Sequence, residues 1–257
     1  MIQAVEGRVA LVTGAGRGIG RATALALAAR GARVMAVSRT AGELVSLAAE
    51  RSGIEWLALS LATPEACATV IEKTHRRLGP IEILVNNAGI GSADDREIWD
   101  QPFDAFRATM AINLEAPFLL TKAAADDMRA AGWGRIVMVS STSGRVGSPR
   151  TVAYTTSKHA LLGLMRAAAH DVGTFGATCN AVLPGWVHTA MADRSAERTA
   201  ERAGGSVEDV WRARDALYPR GASLVPEEVA EAIVFLCSAA ASGINGEALS
   251  VAAGGPE

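Results

Sequence analysis

The 257 residues hold 25 Lys+Arg against 27 Asp+Glu, a formal net charge of −2, and are 49% hydrophobic. That is apolar enough to bury the core of one α/β domain, and charges that balance and intersperse, with no long run of either sign, give no support to a nucleic-acid or membrane-surface role. No charge-free stretch has spanning length, the first residues lack a basic-then-apolar leader pattern, and Cys67, Cys179 and Cys237 are too scattered for a disulfide framework, so a reducing cytoplasm is the expected setting. His75, His159, His170 and His188 show no metal-ligand spacing, and no metal is expected.

Short apolar runs alternate with helical patterns from end to end, the rhythm of βαβ units around a parallel sheet flanked by helices on both faces. The runs predict seven strands over 9–12, 33–37, 54–59, 81–85, 134–139, 178–183 and 247–251. Between them fall helices over about 18–30, 41–52, 64–78, 103–129, 152–174 and 226–238. No linker, repeat or low-complexity segment interrupts them, so one doubly wound Rossmann-type domain over 1–257 is expected.

The first strand leads straight into Thr13-Gly14-Ala15-Gly16-Arg17-Gly18-Ile19-Gly20 and a helix. A glycine-rich turn there lets backbone N–H groups approach a pyrophosphate at the helix N-terminus. The second strand ends Val37-Ser38-Arg39-Thr40, without the acid that NAD sites commonly place near the adenosine ribose. Ser38, Arg39 and Arg17 would instead receive a 2′-phosphate, so NADP(H) is expected over NAD(H). Pro117, inside the long pattern over 103–129, implies a break near Asn113.

Tyr154 and Lys158 stand four apart on the next helix, hence on one face and one turn from each other. A fixed cation beside a phenol lowers its pKa toward working pH and fits it for proton transfer to an alcohol or carbonyl oxygen, although such a pair is also an ordinary solvated stripe. The polar segment 190–223 breaks the rhythm: Gly204-Gly205 splits it, and Ser206-Val207-Glu208-Asp209 restarts a helix. Two short helices forming a lid over the C-terminal edge of the sheet are expected there.

Taken together, Thr13-Gly14-x-x-x-Gly18-x-Gly20, Asn86-Asn87-Ala88-Gly89, Asn113, Ser141, Tyr154-x-x-x-Lys158 and Pro184-Gly185-x-x-x-Thr189 resemble the short-chain dehydrogenase/reductase family from about residue 7 to 255. The resemblance implies a catalytic set of Asn113, Ser141, Tyr154 and Lys158. Tyr154 would be the acid/base, Ser141 the donor that polarises the carbonyl, and Lys158 the residue that holds the nicotinamide ribose and lowers the Tyr154 pKa. Asn113 would hold a relay water. It further implies that Gly14, Arg17, Gly18, Ile19, Gly20, Ser38, Arg39, Ser60, Leu61, Asn87, Ala88, Gly89, Tyr154, Lys158, Pro184, Gly185, Val187 and Thr189 line the cofactor, with Val187 N–H and Thr189 on the carboxamide. Ser60-Leu61 replaces the family's Asp-Val around the adenine, and Val251-Ala252-Ala253-Gly254 its Val-Asp-Gly-Gly near the C-terminus.

The implied activity is hydride transfer between NADP(H) and a ketone or secondary alcohol. Substrate contacts are expected from residues 91–93 and 143–152, Trp186, His188, Met191 and the lid. Three other readings stand beside it: an NAD-dependent alcohol dehydrogenase, a 3-oxoacyl reductase serving an acyl carrier protein, and a silent dinucleotide sensor. Ala130-Ala131-Gly132 and Phe175 stand where basic residues would meet an acidic carrier. The Ala- and Leu-rich helices over 113–129 and 152–174 imply, by the same resemblance, a homotetramer.

Overall fold

A computed structural model describes residues 5–91 and 96–256. The strands are β1 (Val9–Thr13), β2 (Arg33–Ser38), β3 (Ile54–Ala58), β4 (Ile83–Asn86), β5 (Gly134–Val139), β6 (Ala177–Pro184) and β7 (Ala248–Val251). All pair in parallel in the order β3-β2-β1-β4-β5-β6-β7, which reverses direction at β1/β4. The helices are α1 (Gly18–Ala29), α2 (Ala41–Glu50), α3 (Pro64–Arg77), α4 (Phe103–Met110), α5 (Ala116–Ala131), α6 (Val152–Gly173), α7 (Ala190–Ala203), α8 (Val207–Asp215) and α9 (Pro226–Cys237).

Apolar side chains leave each central strand on alternate sides, and each side meets its own helices. Ala10 and Val12 of β1 join Leu27 of α1, Leu44 and Leu47 of α2 and Ile233 of α9 in one core. Leu11 joins Val70 of α3, Leu120 and Met128 of α5 and Met165 of α6 in the other. Buried on both faces, the strands read as continuous apolar runs rather than alternating ones.

Two boundaries depart from expectation for local reasons. The fourth strand begins at Ile83, not 81, because the Ile81 N–H is taken by the Asp127 carboxylate at 2.8 Å. The helix expected over 103–129 is α4 and α5 joined by a π-helical turn, Ala111–Glu115. The break falls at Asn113, four residues before Pro117, which has no N–H to give the Asn113 carbonyl. Such turns recur at functional sites.

Within 190–223 two helices form as expected. Thr189 caps α7 by accepting from Ala192 N (3.3 Å), and Ser206 caps α8 by accepting from Asp209 N (3.1 Å). No described helix is long and apolar enough to cross a membrane.

Candidate active site

The glycine turn sits in the crevice at the direction switch, where ligands of open parallel sheets collect. Gly14 has φ +65°, and a methyl there would lie 2.7 Å from Asn87 Nδ2 and 2.9 Å from Ala88 Cα. The same Asn87 amide donates to the Thr13 carbonyl (2.9 Å) and the Gly14 carbonyl (3.2 Å), while Thr13 Oγ1 accepts from Asn87 N and Ala88 N. The Asn86–Gly89 run is thus bolted to the turn. Gly20 is held against Gly14 and Asn87, and Ile19 beside it lies in the first turn of α1, which carries no acid. Such a helix start suits a pyrophosphate.

Around this turn the expected cofactor residues gather unevenly. Ser38 ends β2, and its hydroxyl lies 2.7 Å from where a methyl on Gly16 would stand. Arg39 is exposed with no ion-pair partner among the described residues. Arg17 pairs with Glu43 at 3.5 Å. Ser60 is exposed just beyond β3, and Leu61 is buried. Gly18 approaches the Thr189 methyl at 3.1 Å, measured from a methyl built on the glycine, so the turn and the Pro184-Gly185 loop close on each other. Gly185 N donates to the Val251 carbonyl (3.2 Å). Val187 bridges Leu224 through His188 N and the Trp186 carbonyl, which leaves its own N–H outside the bridge.

The four expected catalytic side chains converge beyond β4 and β5. Tyr154 and Lys158 occupy the first two turns of α6, and the Ser141 side chain hydrogen-bonds Tyr154 while accepting from Ser143 N at 3.1 Å. Asn113 is 1% exposed; its Oδ1 accepts from Ile90 N (2.9 Å), and its Nδ2 donates to the Ile90 carbonyl and to Ser157 Oγ, both at 3.0 Å. A methyl on Gly89 would lie 3.4 Å from Asn113 Oδ1 and 3.7 Å from Lys158 Nζ, which places that glycine between the two.

One expectation needs correction. Lys158 does not lower the Tyr154 pKa in this arrangement: burial pushes the phenol above 10, with only the Ser141 bond pulling the other way. The ammonium instead donates to the Val139 carbonyl at 2.8 Å and lies 5.5 Å from the centroid of the Tyr154 ring. Burial in turn lowers Lys158 from 10.5 to about 8.

The region from which substrate contacts are expected is built from stacked side chains. The Arg214 guanidinium lies 3.6 Å from the Trp186 ring and 5.0 Å from that of Trp211, and His188 stacks on Trp211 with centroids 4.1 Å apart. Arg214 also donates to the Ala192 carbonyl (3.0 Å) and Ser195 Oγ (3.1 Å), tying α8 to α7. His188 lines a groove with Glu208 and Asp215 that none of the catalytic four reaches. Met191 faces the β4–α4 loop, 3.8 Å from where a methyl on Gly91 would stand; expected residues 92 and 93 lie outside the described ones.

Sequence reasoning passed over Glu43, Ser157, the Val139 carbonyl and Arg214. Glu43 had a readable signal, an acid in the first turn of the helix that starts three residues after Ser38. The others carry none, because their roles depend on how separate elements pack.

Residues 8–200 match the model of a family described as short chain dehydrogenase. The 3-oxoacyl-acyl-carrier-protein reductase FabG of Escherichia coli is 35% identical over 253 residues, covering 97% of both chains. Levodione reductase superposes with a TM-score of 0.91 at 27% identity, covering 97% of each chain. A variant actinorhodin polyketide ketoreductase solved with NADPH does so with 0.90 at 31%, covering 96% of each. The motifs sit where the fold needs them and the match runs the length of the sheet: the chain belongs to the short-chain dehydrogenase/reductase family of oxidoreductases.

Proposed function

We propose that this chain interconverts a ketone and a secondary alcohol with NADP(H), Tyr154 carrying the proton. The observation that carries the reading is a phenol bonded to Ser141 beside a buried ammonium with donors to spare. Lys158 is 5% exposed, and of its three N–H donors one meets an acceptor, the Val139 carbonyl, among the described residues. The hydroxyls of a nicotinamide ribose would satisfy the rest. The acid-free start of α1 and the exposed Arg39 suit a pyrophosphate and a 2′-phosphate in the same way. A bound dinucleotide supplies or takes the hydride.

In reduction Tyr154 gives its proton to the carbonyl oxygen while Ser141 donates a hydrogen bond to that oxygen. The raised pKa keeps the phenol protonated at neutral pH, which favours reduction there; oxidation needs the phenolate and gains as pH rises. Lys158 holds the ribose, and Asn113 keeps the relay beside it: its side chain is fully engaged, and Pro117 leaves its main-chain carbonyl for a water. The segments 190–203 and 207–215 would close over the substrate. We also take the enzyme to act in the cytoplasm as a homotetramer joined through α5 and α6, with Phe118 half exposed on α5.

A carrier-bound 3-oxoacyl substrate is the second reading, favoured by the name of the Escherichia coli relative. Against it, Phe175 shares a shallow groove with Asp126, Asp171 and Arg129, and two carboxylates there would repel an acidic carrier. The silent-sensor reading has no support from a site whose four side chains are all in place.

Tyr154→Phe tests the central claim. It keeps the ring and removes the proton, so kcat with a ketone panel and NADPH should fall by at least ~100-fold while the NADP+ dissociation constant stays within about twofold. Turnover that survives the change would hand the proton to another group.

A further inference from the structure

The pocket expected to take a 2′-phosphate already contains a carboxylate. The Ala15 N–H donates to the Val37 carbonyl at 3.0 Å, which seats the glycine turn on the end of β2. Above the buried Gly16 the side chains of Ser38 and Glu43 close in. A methyl on that glycine would run into the Glu43 carboxylate and stand 2.7 Å from Ser38 Oγ and 3.1 Å from Glu43 Cβ. The same carboxylate pairs with Arg17 at 3.5 Å, and the Glu43 carbonyl is held by Arg21 Nη1 at 3.2 Å. Of the groups read from sequence as the 2′-phosphate site, Ser38 and Arg17 therefore both face an anion of the chain itself. Arg39 does not.

We infer that Glu43 sets the cofactor selectivity of this enzyme, acting as a resident anion, paired with Arg17 and set beside Ser38, that a 2′-phosphate must displace and that a 2′-hydroxyl need not. The inference rests on the NADP(H) reading above and refines it. Displacement is feasible because the Arg17–Glu43 pair is loose and half exposed, with side-chain exposures of 50% and 29%, and pairs of that kind hold weakly. Glu43 lies in the first turn of α2, where only its side chain need rotate. Once it turns out, Arg17, Arg39 and Ser38 are free to converge on the phosphate. While it stays in, it discriminates against the phosphate by charge and leaves room for a ribose diol, so both dinucleotides bind and their preference is narrow.

Isothermal titration of the full chain with NADP+, NAD+, 2′,5′-ADP and 5′-AMP reads the effect without turnover. Glu43→Gln keeps the shape and removes the charge. Removing one unit charge within a few ångströms of a phosphate should tighten NADP+ and 2′,5′-ADP about tenfold. NAD+ and 5′-AMP should change by less than about twofold. The result that would overturn the inference is weaker NAD+ and 5′-AMP with no gain for NADP+, which would make Glu43 an acceptor for the ribose hydroxyls. Unchanged affinities for all four would also overturn it. Arg39→Ala separates this from the parent reading: if it weakens NADP+ selectively while Glu43→Gln does nothing, only the role of Glu43 fails. If neither change nor the 2′-phosphate itself alters affinity in the unaltered enzyme, the NADP(H) preference fails. Thermal melting of each variant confirms a folded sample before titration.

Discussion

The two sides of the C-terminal edge are built on opposite principles. On the nucleotide side glycine backbone closes on itself and on one amide: Gly14 and Gly20 lie in one short turn, so near each other and Asn87 Nδ2 that no methyl fits on either. On the side proposed to take the substrate, side chains meet side chains: Trp186 and His188 of the loop after β6 stack with Trp211 and Arg214 of α8. The first construction fixes where a dinucleotide lies. The second fixes a surface that can be re-cut by exchanging one ring or one cation, with the sheet untouched.

The difference predicts separable failures. Gly20→Ala should do the most damage, because its methyl would be driven into the Gly14 carbonyl and the Asn87 amide, neither of which can move without opening the turn. Overpacking of that kind costs roughly 2–3 kcal/mol, and dinucleotide affinity should drop at least ~10-fold. Titration with NADP+ and a melting curve check both; a variant that binds normally would mean the turn is looser than its contacts imply. Arg214→Ala should cost about 2 kcal/mol, confined to the other side, since it empties the stack and strips the Ala192 carbonyl of its donor. Amide exchange should quicken in α7 and α8 alone, and KM for the ketone should rise with NADP+ binding unchanged. Exchange that quickens across β1 and α1 as well would show the two sides coupled and end the comparison.

The same contrast decides what could be read from sequence. The sheet was legible because strands buried on both faces are uninterrupted apolar runs. The glycine turn was legible because close backbone approach leaves glycine as the residue that fits. The Pro117 break located Asn113 through a missing N–H, a purely local signal. The start of β4 was not legible, because it depends on Asp127, forty-six residues further along, capturing the Ile81 N–H. Nor was Arg214: in a segment rich in Arg and Glu nothing marks one cation of many as 6% exposed, and only the fold brings Trp186 over it. Glu43 was not legible from the end of β2, because it is a helix start one loop later that reaches the same place beside Gly16. The Tyr154–Lys158 pairing was visible, but the direction of the phenol's shift was not, since spacing gives proximity and not desolvation.

Lys158 stands on the seam between the two sides. Burial lowers its pKa from 10.5 to about 8, so below pH 8 the folded protein carries a charge it would hold more comfortably unfolded. Between about pH 8 and 10.5 the unfolded chain binds more protons at this position than the folded one, and the contribution of Lys158 to stability therefore rises with pH across that window. The full shift is worth roughly 3 kcal/mol. Other groups work against it at the alkaline end: Cys179 and Cys237, both pushed up to about 12, lose stability above pH 9, and the raised Tyr154 does so above 10. A comparison with Lys158→Met cancels them. Loss of the bond to the Val139 carbonyl returns about 1 kcal/mol, so the variant should be more stable than its parent by about 1–2 kcal/mol at pH 7. That is a few degrees in melting temperature, and the gain should shrink as pH rises to 9.5. Cofactor-dependent turnover should vanish at every pH. A variant less stable than its parent at pH 7 would mean the ammonium supports the fold; a more stable and inactive one would mean it is kept, at a cost to the fold, for the ribose it is placed to hold.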